Sequence, residues 1–447
     1  MAAFPDTNVR FRIRSLLVVD LNDMILVSVD DHVVEPPGMW DAHLPSRYRD
    51  AAPKLVRKDD GTDVWAYSGQ ELPNIGLNAV AGRPPAEYGI DPTSFDDMRP
   101  GCYDIHARVQ DMNANGVLGS LCFPSMPGFC GQLWAKHPDK DIARALLQGY
   151  NDWHIDEWCG TCPGRFIPCA LPALWDPDEM AAEVHRVAAK GCRAVTFSEN
   201  PEKLGYPSLH SEHWDPFWQA CSDEGTVVCL HIGSSSSLVI TAPDAPINVM
   251  ITLQPMNIVQ AASDLLWSRV LQKYPDLRIA LSEGGIGWIP YFLERVDYVY
   301  KHHTAWTGLD LGGRLPSELF GERIITCFID DAVGVENRHH LNIDHITWEC
   351  DYPHSDSTWP RSPEVLFPAL AGVPDDEVNK MTHQNAMRLF SYDAFAHVPR
   401  DQATVGALRA LATDVDVSER AVTGALPRDP SEPPITIMTL AEAAGRR

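Results

Sequence analysis

Eight short apolar runs punctuate the chain, and most are followed by a stretch with helical spacing. They are Met24–Asp30, Gly119–Phe123, Phe166–Ala170, Ala194–Ser198, Thr226–Leu230, Arg278–Ser282, Ile324–Ile329 and Ile346–Glu349. Helical periodicity fills several of the gaps, as in Asp178–Ala189 and Ile258–Lys273. Strands separated by helices pair in parallel, because a tight turn cannot reverse the chain between them. Eight such units close into a (β/α)8 barrel more readily than they spread as an open doubly wound sheet, the structural alternative.

The spacing divides the chain. Residues 1–50 hold an N-terminal segment and the first strand. Residues 51–110, rich in Pro, Gly and Asp, are too long for a plain crossover and predict a cap inserted over one end of the barrel. Residues 111–390 complete the barrel. Residues 391–447 read as an extension wrapping the surface or a partner subunit, with one amphipathic helix near Thr404–Thr413.

A chain of 447 residues buries a large core without disulfides or structural metals. Its 36 Lys and Arg against 61 Asp and Glu leave a formal charge of −25. That charge argues against general binding to nucleic acid or to anionic membranes. The eleven cysteines are odd in number, and Cys122, Cys229 and Cys327 lie in strand-like runs. Reduced, buried thiols and a cytoplasmic location are expected. Near the start, Arg10, Arg12 and Arg14 flank an apolar patch too short for a secretory signal. No apolar run approaches the ~20 residues of a membrane-spanning helix.

In a parallel barrel the chemistry sits at the C-terminal ends of the strands. Here the first run ends in Asp30-Asp31-His32, with Asp30 and His32 on one face. The fourth leads into Glu199, the fifth into His231, the sixth into Glu283, the seventh into Asp330-Asp331 and the eighth into Asp351. A carboxylate after a strand is often only a helix cap. Carboxylates and imidazoles on at least five strand ends, converging on one axis, instead suit a divalent transition metal such as Zn, Mn, Fe or Co. Without a cation such carboxylates would repel one another. Glu35 lies where it can support a ligand; His354 can bind substrate or touch Asp351; Asp330 and Asp331 rank lower.

Two other motifs carry less. Cys159-Gly-Thr-Cys162 has redox spacing, but it follows a helical run and precedes a turn, the reverse of a redox site. Gly284-Gly285-Ile286-Gly287 is not a dinucleotide fingerprint and reads as close backbone passage near the site. Ser234, in His231-Ile-Gly-Ser, is a candidate donor to an anionic substrate.

The segments 29–37 (VDDHVVEPP), 230–234 (LHIGS), 281–297 (LSEGGIGWIPYFLERVD), 348–360 (WECDYPHSDSTWP) and 385–390 (NAMRLF) resemble the amidohydrolase superfamily. Within it they are similar to the group that includes aminocarboxymuconate-semialdehyde decarboxylase. The resemblance implies a barrel over residues 24–390. It also implies metal ligands at Asp30, His32, His231 and Asp351, with Asp351 shuttling protons. Asp30 stands where the family usually has His, and Glu283 where many relatives have His. Glu199 aligns with a position that bridges two ions in dinuclear members.

The expected activity is a metal-dependent hydrolase. A metal-activated water would attack an amide, ester or thioester of a bulky organic acid. One or two Zn, Fe or Mn ions are expected per chain, with Asp30, His32, Glu199, His231, Glu283 and Asp351 as ligands. Asp351, Glu283 and His354 are the catalytic candidates. Met126, Phe129, Ser234, Trp288 and Trp359 are the substrate contacts. The alternative is a non-oxidative decarboxylase of an aromatic or unsaturated acid, which needs one metal. A catalytically silent barrel that binds a partner is a third reading. A small organic acid derivative and a second copy of the chain, as a homodimer, are the expected partners.

Overall fold

The computed structural model describes residues 19–444, so the arginine-flanked patch near the start lies outside the described residues. In chain order the strands begin with β1 (Val27–Val33) and an antiparallel set, β2 (Lys54–Arg57), β3 (Asp63–Tyr67) and β4 (Gln70–Leu72). Then come β5 (Gly119–Pro124), β6 (Phe166–Ile167), β7 (Ala194–Ser198), β8 (Val227–His231), β9 (Arg278–Ser282), β10 (Ile324–Phe328) and β11 (Ile346–Trp348).

Apart from β2–β4, the strands form one parallel sheet in the order β6-β5-β1-β11-β10-β9-β8-β7. Its two ends meet. Ala170, just beyond β6, pairs in parallel with Val195 of β7. The Ala170 N–H donates to the Ala194 carbonyl (3.0 Å), and the Thr196 N–H donates to the Ala170 carbonyl (2.9 Å). The expected (β/α)8 barrel is therefore the fold, and the open sheet is not.

Two elements differ from expectation for local reasons. β1 starts at Val27 rather than Met24, because the Met24 carbonyl accepts from Val405 of the C-terminal extension instead of from a strand. The helix expected over Ile258–Lys273 is two, Met256–Trp267 and Val270–Lys273. Between them Ser268 is extended, and its hydroxyl accepts from the Val270 N–H at 3.2 Å.

The barrel interior is packed, not hollow. Val27, Val29, Leu121, Phe123, Cys229 and Cys327 belong to one buried cluster, separate from the core that includes most of the outer helices' buried residues. Ala386, Leu389 and Phe390, from the NAMRLF segment, join the same inner cluster. Each Val, Leu or Phe among them contributes about 1.5–3 kcal/mol on burial.

Residues 51–110 form β2–β4, then loops with three single-turn 3-10 helices, and end within the helix Ile105–Asn115. The extension does not merely trail. Glu87, in the insert, accepts from the N–H groups of Val422, Thr423 and Gly424 at 2.9, 3.0 and 2.8 Å. The Arg420 N–H donates to the Gly82 carbonyl. Farther on, Thr436 pairs antiparallel with Pro246, and the Ile247 N–H donates to the Ile435 carbonyl at 2.8 Å. A last helix spans Ile437–Ala444. Among the described residues all eleven cysteines are free thiols, ten of them buried. Burial pushes the Cys159 and Cys162 thiols up, away from redox reactivity. No helix among the described residues is long and apolar enough to cross a membrane.

Candidate metal centre

Asp30 and His32 alternate along β1 so that both side chains point into the barrel mouth. His231 ends β8, and Asp351 follows β11. The four side chains converge. His32 Nε2 lies 3.5 Å from Asp30 Oδ1 and 3.2 Å from Asp351 Oδ1. His231 Nε2 lies 3.4 Å from Asp30 Oδ1 and 3.2 Å from His32 Nε2. All four residues are buried.

These atoms fit a cation better than they fit one another. Both carboxylate oxygens of Asp30 and of Asp351 are buried without a hydrogen-bond partner. Orphaned buried carboxylates are costly unless a charge compensates them. The separations match the edges of a coordination polyhedron, about 3.0–3.4 Å for ligand bonds of about 2.1 Å. Two overlapping donor groups result, Asp30–His32–His231 and His32–Asp351–His354, with His32 common to both. His231 presents Nε2 because its Nδ1 faces the Ile232 carbonyl, which fixes the tautomer.

Glu283 and Asp351 are non-glycine residues with φ of 58° and 57°, in the left-handed region. Such backbone costs on the order of 1 kcal/mol and persists where surrounding bonds hold it. Here the Glu283 N–H donates to Glu349 Oε2 at 3.2 Å, and the Asp351 N–H to the Asp30 carbonyl at 2.8 Å. Glu283 Oε2 then sits 3.4 Å from His231 Nε2, at the border of the ligand set.

Burial dominates the electrostatics. It raises the Asp30 and Asp351 carboxyls and pushes Glu283 up to about 8, with His231 opposing. Burial pulls His231 down, but Asp30 and Glu283 outweigh it and bring the imidazole up to about 10. His32 falls well below its usual value through burial and the neighbouring His354, and His354 falls to about 3. Without a metal the carboxyls and His231 therefore keep their protons, while His32 and His354 stay neutral.

Glu199 stands apart. One oxygen accepts from the Ser235 hydroxyl at 2.6 Å and from the Gly233 N–H at 3.1 Å; the other has no partner. His354 stacks on His32 and brings Nδ1 to 3.0 Å from Asp351 Oδ1. Phe129 covers the imidazoles, its ring 4.1 Å from His231 and 5.1 Å from His32 between centroids. Glu35 accepts from the Ser125 and Met126 N–H groups at 3.0 and 2.8 Å and so anchors the loop that carries Phe129.

Four expected substrate contacts need correction. Ser234 is fully buried; its hydroxyl donates to the His231 carbonyl and accepts from the Glu199 N–H, leaving nothing for a substrate. Trp288 donates to the Gly284 and Gly285 carbonyls and packs on Phe292. Trp359 donates to the Asp111 carbonyl beneath Arg99. Met126 is half-buried and packs against the hydrophobic core. Asp331 is a cap, accepting from the N–H groups of Gly334, Ile286 and Gly287.

A cavity of about 570 Å³ opens beside the ligand set. Glu283, Asp351, Asp356 and Glu349 line its polar part, and Ile232, Met250, Ile435 and Leu440 lie along its apolar part. Glu349 went unread in the sequence; it lies one residue past β11 and two before Asp351. It is buried, and it accepts from Cys327 Sγ at 2.6 Å.

The sequence profile of the amidohydrolase family matches residues 40–391. The sequence has no significant match among curated proteins. Among solved structures, an amidohydrolase from Mycobacterium avium subsp. paratuberculosis K-10 is similar with a TM-score of 0.64 at 19% identity, covering 82% of this chain and 99% of that one. The 5-carboxyvanillate decarboxylase of Novosphingobium aromaticivorans, solved with manganese and 4-hydroxy-3-methoxy-5-nitrobenzoic acid, has a TM-score of 0.56 at 19% identity, over 84% and 100%. A 2,6-dihydroxybenzoate decarboxylase from Rhizobium has 0.53 at 18%, over 82% and 99%. At these identities the likeness is one of fold.

Proposed function

The chain belongs to the amidohydrolase family, and on that premise we propose that it is a metal-dependent lyase removing the carboxyl group of an aromatic or unsaturated acid. One observation carries this reading. Asp30, His231, Asp351 and His354 gather into groups that share His32, while Glu199, which a second ion would need, lies outside them and has one of its two oxygens tied to Ser235 and Gly233. Decarboxylation works with one ion. The decarboxylases of similar fold, one with manganese bound, support the same choice.

Asp30, His32, His231 and Asp351 would hold the ion. When bound, it supplies positive charge that anchors a substrate carboxylate and stabilises the electron pair left on carbon. The protein's own groups do the rest. Glu283 borders the cavity, burial favours its protonated form, and in that form it delivers a proton to the carbon as the C–C bond breaks and CO2 leaves. Solvent returns that proton through the open cavity. His354, neutral and stacked on His32, orients Asp351. Phe129 shields the imidazoles from water.

A second reading, hydrolysis of an amide, ester or thioester, is favoured by Asp351, whose unpartnered oxygens can take a proton from an attacking water. Metal analysis and parallel assays separate the two. One ion per chain and CO2 release from hydroxybenzoates or hydroxycinnamates is the expected result. Two ions per chain, with ester or amide cleavage and no CO2, would overturn the lyase.

A further inference from the structure

The apolar side of the cavity is not built by the barrel alone. The family profile ends at residue 391, and the solved structures of similar fold cover 82–84% of this chain while 99–100% of their own length is matched. Ile435 and Leu440 lie beyond that family region, yet both line the cavity. They are held in place from two sides. Glu87 grips residues 422–424 on the insert side, and Pro246 and Ile247 pair with residues 435–436 on the other. Across from them Ile247, Met250 and Ile251 face the same space. Ile251 is 53% exposed and Leu440 42%, apolar surface that a ligand would cover.

The charges of the cavity point the same way. Its lining includes six carboxylates (Glu283, Asp330, Asp331, Glu349, Asp351 and Asp356) and, among the described residues, no Lys, Arg or His. No positive charge in the wall can pair with an anion away from the ligand set. A second carboxylate or a phosphate on the far end of a substrate would face acidic side chains such as Asp330 and Asp331, offset only by the neutral donors of Asn78, Tyr88, Gln254 and Ser355.

We infer that Ile435 and Leu440 of the C-terminal extension are specificity-determining residues, selecting acids whose far end is a bulky, uncharged apolar group and rejecting those with a second negative charge there. The inference rests on the metal centre described under the proposed function, which anchors the single carboxylate.

Calorimetry on the full chain loaded with manganese tests it, using benzoate, 4-butylbenzoate and terephthalate. The wild type is expected to bind 4-butylbenzoate at least tenfold tighter than benzoate, and terephthalate at least tenfold more weakly. In Ile435→Ala/Leu440→Ala the butyl preference should fall below threefold. In Leu440→Arg the ratio of terephthalate to benzoate affinity should rise at least tenfold. Both positions are half-buried or exposed, so the variants keep the fold, and Leu440→Met serves as the conservative control that retains the preference. An unchanged butyl preference in the double variant, or equal binding of terephthalate and 4-butylbenzoate by the wild type, would overturn the inference. A neutral fluorescent probe, 1-N-phenylnaphthylamine, reads the wall on metal-free protein. If benzoate fails to bind the loaded enzyme while the probe binds and is lost in the double variant, the metal-centre reading falls and the wall stands. If benzoate binds but neither the probe nor the butyl preference responds to the double variant, the wall falls alone.

Discussion

The imidazole rings of His32 and His354 stack face to face, their centroids 3.6 Å apart at an interplanar angle of 23°. One ring is a candidate ligand, and the other touches a second ligand, Asp351, through Nδ1 at 3.0 Å. His354 is thus a brace between two donors. His354→Ala should weaken metal affinity by about 10–100-fold, the range for groups that orient ligands. Chelator competition measures it; an unaltered affinity would show that the stack carries no such role.

Glu199 separates one ion from two. Glu199→Gln keeps an oxygen that can accept from Ser235 and Gly233, so the loop should survive. The expected metal content stays at one ion per chain by elemental analysis. A drop from two to one on substitution would place Glu199 in a dinuclear site.

Proton linkage gives a prediction with a definite sign. Burial raises Glu283 to about 8, and Asp30 with Glu283 raises His231 to about 10 against the pull of burial. In the unfolded chain these groups titrate near about 4.3 and 6.5. Through these two groups the folded protein holds more protons; the lowered His32 and His354 oppose them only below about pH 6.5, so stability falls as pH rises above that. In EDTA the melting temperature should drop by about 5 °C or more from pH 7 to pH 9, and Glu283→Gln should flatten the slope. Scanning calorimetry that finds stability constant or rising over this range would contradict the raised values.

As the proposed proton donor, Glu283 should govern turnover more than binding. Glu283→Gln is expected to lower kcat by about 10²–10⁴-fold, typical of general acid catalysis, with KM changed little. Retained metal content shows that the loss is chemical. Full activity of the variant would assign the proton to another group.

The grip of Glu87 on residues 422–424 can be loosened. Burial raises its carboxyl, but the N–H donors of Val422, Thr423 and Gly424 outweigh that and hold it below the usual range, so it accepts as an anion. Glu87→Ala should make the segment around 415–430 at least about tenfold more sensitive to limited proteolysis, while the barrel stays resistant. Mass spectrometry locates the cut; equal rates would mean the extension is held elsewhere.

The barrel and the convergence of its candidate ligands were legible because both follow short-range rules. Strand runs read by period gave β7 and β9 to the residue, and the strand ends led to Asp30, His32, His231 and Asp351. What was missed depends on distance in the fold. Trp288 and Trp359 look like rim aromatics in a linear reading, but their indole N–H groups are spent on the carbonyls of Gly284 and Gly285 and of Asp111. Ile435 and Leu440 reach the cavity only through pairing with Pro246 and Ile247, almost 190 residues earlier, which no local pattern encodes.

The clasp from Glu87 and the pairing at Pro246 keep the outer wall on segments that contain none of the four converging donors. Mutation and selection therefore act on the two parts separately. A change at Ile435 or Leu440 alters what the mouth admits without moving Asp30, His32, His231 or Asp351. Descendants of this gene can diverge in diet while inheriting one chemistry.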